Sequence, residues 1–239
     1  MKKLLFISGV ARSGTSALVG VLNSHPGILV GQERYFFRIR RQELAPEHFE
    51  KERFYTLHDG DTHGAGFRAP HDQFSKAYDA ATYVGDKFPL LYTYFDYMFE
   101  TFPDAAHIYI FRNPLSVIES YHRRQQNPDD QFSKTWLQGL EEWNESLGRV
   151  ARMDPAARSR FHLVQYEKLF ETPAGMNALF RRLGLPALQP ARLQPFADRF
   201  SDLNETSVPR QDIMRQHVAL NADWDAYRTL YRLAEDRQG

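Results

Sequence analysis

Apolar residues come along this 239-residue chain in short blocks, and the spacing inside each block separates strands from helices. Runs at 4–10, 28–30, 81–84, 107–111 and 161–164 are nearly continuous rather than alternating. Strands buried on both faces of a parallel sheet carry that pattern. Between the runs the apolar period lengthens to three and four, which predicts helices over 15–23, 90–102, 114–126 and 173–183. Asn113 stands as an N-cap before Pro114 at the first helical position, and Gly184 closes the last of these helices. The clearest stripe is Phe132, Trp136, Leu140, Trp143, Leu147 and Val150, all on one helical face. Strand and helix in alternation predict an α/β fold, a three-layer sandwich around a central parallel sheet of about five strands.

Two stretches break the rhythm. Residues 38–80 are polar and lack a buried strand, so helix and loop laid over the sheet's edge are expected there. Residues 186–239 carry Pro186, Pro190, Pro195 and Pro209 before a short helical tail near 222–235. The length suits a single domain over 1–239 with these two stretches as peripheral elements.

Composition narrows the function classes. Apolar residues make up 42% and charged residues 25%, ordinary values for a soluble globular protein. Lys+Arg and Asp+Glu balance at 30 each, which argues against a general nucleic-acid binder. With no cysteine, disulfides, thiolate metal sites and cysteine nucleophiles are excluded. No apolar run approaches a membrane span, and the run after Met1-Lys2-Lys3 is interrupted by Ser8 and Gly9 with no small-residue cleavage site beyond it. A cytoplasmic location is the expectation.

The first apolar run leads into "ISGVARSGTSALVG", which reads G-x-x-x-x-G-T-S from Gly9 to Ser16. A nucleotide-binding loop has lysine where Thr15 stands; here the nearby cation is Arg12. Glycines at 9 and 14 let the backbone curl with its N–H groups inward, and the following helix adds its positive end. That makes an anion cradle whichever side chain carries the charge. The triphosphatase chemistry that needs the lysine is in doubt.

"GVARSGTSAL" resembles the 5′-phosphosulfate loop of the sulfotransferases, whose donor is 3′-phosphoadenosine 5′-phosphosulfate (PAPS) and whose product is adenosine 3′,5′-bisphosphate (PAP). The resemblance implies a P-loop-like fold, no required metal, and donor contacts from Arg12, Ser13, Gly14, Thr15 and Ser16. "IYIFRNPLSVIESY" resembles the family's 3′-phosphate motif, an arginine ending a strand and a serine eight residues on, which maps onto Arg112 and Ser120. A guanidinium suits a phosphate because it bonds in a bidentate fork. "VQYEKLFETP" is similar to a segment that sets Tyr166 near the adenine. The late R-K-G-like contact of the family has no match; Arg210 in "SVPRQ" is the nearest candidate.

The resemblance implies sulfuryl transfer to a hydroxyl or an amine, which needs a base for the acceptor's proton and a cation for the leaving oxygen. "GQERYFF" resembles the Q-E-x-x-F-F of carbohydrate sulfotransferases, which implies Glu33 as the base and a carbohydrate or glycan acceptor. Residues 38–80 and 186–239 would then cover the acceptor side. "GDKFP" resembles the D-K-[TS]-P segment of the same branch, with Lys87 near the transferred group; only seven of the 30 basic residues are lysines. The catalytic set is therefore expected to be Glu33, Lys87 and Arg12.

Two further clusters stand apart. "HDGDTH" (His58, Asp59, Asp61, His63) has metal-ligand residue types but reads first as a polar loop. Arg34, Arg38 and Arg41 fall at helical spacing and would form either a solvated face or a contact for an acidic acceptor. The rival readings are a P-loop kinase or triphosphatase and a non-catalytic nucleotide-binding protein.

Overall fold

The computed structural model describes residues 2–62, 77–130, 133–206 and 211–236, leaving the side chains of 201–206 and 236 aside. Five strands, β1 (Lys3–Ser8), β2 (Ile28–Gln32), β3 (Tyr83–Lys87), β4 (Ala106–Phe111) and β5 (Phe161–Gln165), form one parallel sheet in the order β2-β3-β1-β4-β5. Every predicted strand exists. β1 stops at Ser8, earlier than its apolar run, because Gly9 and Val10 already belong to the turn. β3 runs on to Lys87, past the predicted end at 84. Its last two residues are charged, yet Asp86 is fully buried and Lys87 nearly so. A hydrophobic pattern cannot announce a strand end built from buried charges.

The predicted helix after β1 is α1 (Thr15–Asn23). The expected 90–102 helix opens as a 3₁₀ turn over Pro89–Tyr94 and becomes α-helical over Phe95–Thr101. The Asn113 cap accepts the Leu115 N–H at 2.9 Å at the head of Pro114–Gln125. The striped helix begins at Trp136, where Thr135 and Gln138 form a capping box; Phe132 lies outside the described residues. The C-terminal stretch differs most from expectation. Among the described residues it holds three helices, Pro190–Thr206, Asp212–Asn221 and Trp224–Asp236. The first contains Pro195, the kind of residue that ordinarily stops a helix.

The chain divides into two compact units. The first comprises Met1–Gly9 and Thr15–Ile108. Its core is aromatic: Phe6 of β1 meets Phe49 at 5.4 Å and Phe102 at 4.9 Å between ring centroids, and Tyr35 packs on Phe49 at 5.5 Å. The second comprises Val10–Gly14 and Tyr109–Gly239. There Trp143, buried from the striped helix, meets Tyr227 of the last helix at 5.7 Å. Among the described residues no helix is long and apolar enough to cross a membrane.

Candidate active site

In the first unit the chemistry gathers at the C-terminal ends of β2 and β3. The two strands run parallel, with Gly31 opposite Asp86 and Gln32 opposite Lys87. Glu33 follows β2 directly and adopts a left-handed backbone, φ 55°. Such a conformation is uncommon for a residue with a side chain and persists only where neighbours hold it. Three hydrogen bonds do so here. The Glu33 N–H donates to the Lys87 carbonyl at 2.9 Å, and the Glu33 carbonyl accepts the Thr62 hydroxyl at 2.5 Å and the Phe36 N–H at 3.3 Å.

That backbone turns the Glu33 carboxylate toward Lys87, whose ammonium donates to Oε1 at 2.9 Å and to the Ser16 hydroxyl in the first turn of α1 at 3.3 Å. Lys87 is only 2% exposed. A buried ammonium requires a carboxylate or equivalent partner, and Glu33 is that partner. The sheet thus brings Glu33, Lys87 and Ser16 together, three residues expected from sequence to act in one site. Asp86, one residue before Lys87, was given no role. It is fully buried and accepts the N–H groups of Tyr35 at 3.0 Å and Lys87 at 2.9 Å. Burial pushes its carboxyl up to about 7, against those two N–H bonds and the charges of Arg34 and Lys87.

The two clusters set apart in the sequence have structural partners. Arg34 precedes its helix, Phe36–Arg40, so the three arginines do not share one helical face. Arg34 is buried, lies over the Phe54 ring at 4.9 Å and donates to the Phe54 carbonyl. Arg38 pairs with Asp61 at 2.9 Å and Glu43 at 3.1 Å, and Arg41 reaches Glu43 at 3.9 Å. Asp61 of "HDGDTH" is taken up by Arg38 and by Arg53 at 2.7 Å, while His63 lies outside the described residues. Among the described residues no group of acidic or histidine side chains is placed to hold a metal ion.

The second unit holds the middle of the glycine-rich loop. Arg12 has φ 69° and Gly14 φ 91°, and the Ser13 N–H closes the turn on the Val10 carbonyl at 3.1 Å. Gly14 is required twice over. Its φ is positive, and a Cβ there would stand 2.2 Å from Cδ2 of Tyr166. Ser13 is fully buried, and its hydroxyl has no protein partner among the described residues.

Arginines surround this loop. Arg12 Nε donates to the Ser120 hydroxyl at 2.8 Å. The Arg112 guanidinium lies 4.1 Å over the Tyr166 ring, and its carbonyl accepts the Trp143 indole N–H at 2.9 Å. Burial lowers the Arg12 guanidinium from its ordinary value, and the neighbouring charges of Arg124 and Arg112 lower it further. Arg112 is lowered chiefly by burial as well. Of the two residues expected to share one phosphate, Ser120 accepts from Arg12 and Arg112 is stacked on Tyr166. Arg210 lies outside the described residues.

The model of the family described as "Sulfotransferase family" matches residues 5–190. A protein-tyrosine sulfotransferase of Drosophila melanogaster is 26% identical over 190 residues, 77% of this chain and 38% of that protein. Protein-tyrosine sulfotransferase 1 of Danio rerio is 25% identical over 189 residues, 77% of this chain and 53% of that protein. The chain thus spans about half, or less, of the length of the curated relatives it matches. A solved sulfotransferase from Alicyclobacillus acidocaldarius shares the fold at a TM-score of 0.61, with 20% identity over 98% of this chain and 96% of that one.

Proposed function

The chain belongs to the sulfotransferase family, and from that premise we propose that it transfers a sulfuryl group from PAPS to a hydroxyl acceptor, with Glu33 as general base. The observation that carries the reading is the Glu33–Lys87 contact at 2.9 Å beside Ser16 of α1. A carboxylate at a strand's C-terminal end, held by a lysine that also reaches the first turn of α1, is placed as a base in a parallel α/β sheet.

Two features of the glycine-rich loop fit a bound anionic donor. Ser13 keeps a buried hydroxyl with no protein partner among the described residues, and Gly14 holds a positive φ with its bare backbone against the Tyr166 ring. Arg12, Ser13, Gly14, Thr15 and Ser16 would hold the 5′ end of the donor, Arg112 and Ser120 the 3′-phosphate, and Tyr166 the base-side wall. The donor supplies an activated sulfuryl group whose S–O bond breaks to release PAP. Glu33 takes the acceptor hydroxyl proton on its carboxylate. Lys87 fixes that carboxylate through Oε1, and its buried ammonium opposes negative charge that develops near Ser16.

A phenolic hydroxyl is the acceptor class favoured here. Both curated relatives are named as protein-tyrosine sulfotransferases. The carbohydrate acceptor expected earlier rests on the spelling of Gln32-Glu33 and Phe36-Phe37. A thermal-shift titration tests donor and class together. PAP in the presence of EDTA should raise the melting temperature in proportion to the logarithm of its concentration above Kd. Stabilisation by Mg²⁺-ATP with none by PAP would assign the loop to a kinase instead.

A further inference from the structure

The turn at 58–62 has metal-ligand residue types, yet its buried carboxylate is spent on protein. Asp61 is 0% exposed. Its Oδ1 accepts Arg38 Nε at 2.9 Å, both its oxygens accept an Arg53 nitrogen at 2.7 Å, and Oδ2 accepts the His58 N–H at 2.8 Å. Its carbonyl accepts the N–H of Phe37 at 2.9 Å. These bonds hold the carboxyl below the ordinary aspartate value against the opposing effect of burial. Asp61 is therefore charged and fastened from four sides. The next residue is Thr62, 5% exposed, whose hydroxyl donates to the Glu33 carbonyl at 2.5 Å.

We propose that this turn is a latch for the general base: Asp61 anchors it, and Thr62 is the positioning residue that holds Glu33 in its left-handed backbone. The inference rests on the reading of Glu33 as base. The physical need is clear from the geometry. A non-glycine residue at φ 55° is strained and persists only where its surroundings hold it. Lys87 engages the N–H. Thr62 engages the carbonyl together with Phe36, whose bond is longer at 3.3 Å. If the Glu33 peptide rotates, the carboxylate leaves Lys87 and the proton acceptor is lost from its place; displacements near 1 Å in such groups cost about 100-fold in rate. Asp61 and Thr62 touch no reacting atom in this scheme, and they act only through Glu33.

The test uses the full chain and four variants: Thr62→Val, Thr62→Ser, Glu33→Gln, and Thr62→Val with Glu33→Gln. Turnover is measured with PAPS and an accepted phenol or tyrosyl peptide, and PAP affinity by calorimetry. Hydrogen exchange of the peptides covering 31–37 is followed in the ligand-free proteins. Thr62→Val should lower kcat about tenfold, the factor that one hydrogen bond commands, with PAP affinity unchanged and exchange at 31–37 accelerated. Thr62→Ser, which restores the hydroxyl, should recover both. In the Glu33→Gln background Thr62→Val should cost little more, because the base it positions is already gone. Full additivity of the two losses, or a Thr62→Ser protein as slow as Thr62→Val, would overturn the latch while leaving Glu33 as base. A Glu33→Gln protein of unchanged turnover would instead remove the base on which the latch depends.

Discussion

The two clusters of catalytic and binding candidates hold their charges differently. Near the ends of β2 and β3 several charges have an opposite one: Lys87 with Glu33, Arg38 and Arg53 with Asp61. Around the loop at 10–14 arginines gather: Arg12 is lowered chiefly by burial, Arg124 and Arg112 act in the same direction, Tyr121 and Asp130 oppose them, and Arg124 is itself paired with Asp130. A balanced cluster is preorganised, with its side chains fixed before any ligand arrives. Guanidinium groups gathered near a loop of inward N–H groups suit the recognition of an anion. The difference fits the division of tasks proposed above: proton transfer for the first, phosphate recognition for the second.

The sharpest way to break that division is to remove the proposed base alone. Glu33→Gln keeps the size and a hydrogen-bonding carbonyl but accepts no proton. Turnover should fall by roughly 10²–10⁴-fold while PAP affinity stays level, since the positioned base acts only in the transfer step. Equal losses in kcat and in PAP affinity would show that the two clusters do not divide the work.

The converse variant is Arg112→Ala. Calorimetry should show PAP weakened by about 1.5–3 kcal/mol, the scale of a charge-assisted hydrogen bond, with adenosine 5′-monophosphate bound nearly as before. Parallel losses for both ligands would detach Arg112 from the 3′-phosphate.

Gly14→Ala sharpens the binding side by geometry. The new Cβ would meet the Tyr166 ring at 2.2 Å on a backbone at φ 91°. A stability loss of about 1–3 kcal/mol in urea unfolding is expected. A wild-type unfolding midpoint would mean that the loop and Tyr166 are not in contact.

The smallest effect is spread over a pH range. The Asp86 carboxyl is raised by burial from an ordinary aspartate value to about 7, so between about pH 4 and pH 7 the folded chain holds a proton that the unfolded chain has released. Stability contributed by this group is therefore complete at the acid end and is lost as pH rises toward 7. Asp86→Asn removes the titration. Its stability relative to wild type should improve steadily as pH rises from about 4 to 7, as read from urea midpoints. A constant offset across that range would mean that Asp86 is ionised throughout.

Much of this was legible in the sequence where backbone demands and apolar period coincide. The runs that became β1, β2, β4 and β5 are apolar on both faces, and the glycine-rich loop and the Asn113 cap carry their own chemistry. The end of β3 was hidden because Asp86 and Lys87 read as surface residues, although each is buried with partners. The helix Pro190–Thr206 was hidden because Pro195 argues against a helix. Among site residues, Glu33 and Lys87 were found through motif spelling, and their contact at 2.9 Å came only with the register of β2 on β3. Thr62 left no sequence signal, since a single threonine after a polar turn has no pattern; its bond to Glu33 spans 29 residues.

The central claim is that this chain moves a sulfuryl group with Glu33 as the base. The direct measurement is transfer from ³⁵S-labelled PAPS, in EDTA, to a tyrosyl peptide, 4-nitrophenol and a glycan oligosaccharide, with wild type and Glu33→Gln side by side. The account predicts label on a phenolic acceptor with wild type and a loss of roughly 10²–10⁴-fold with the variant. Label on the glycan alone would move the acceptor class and keep the base. No labelled acceptor from wild type, or equal labelling by both proteins, would contradict the account.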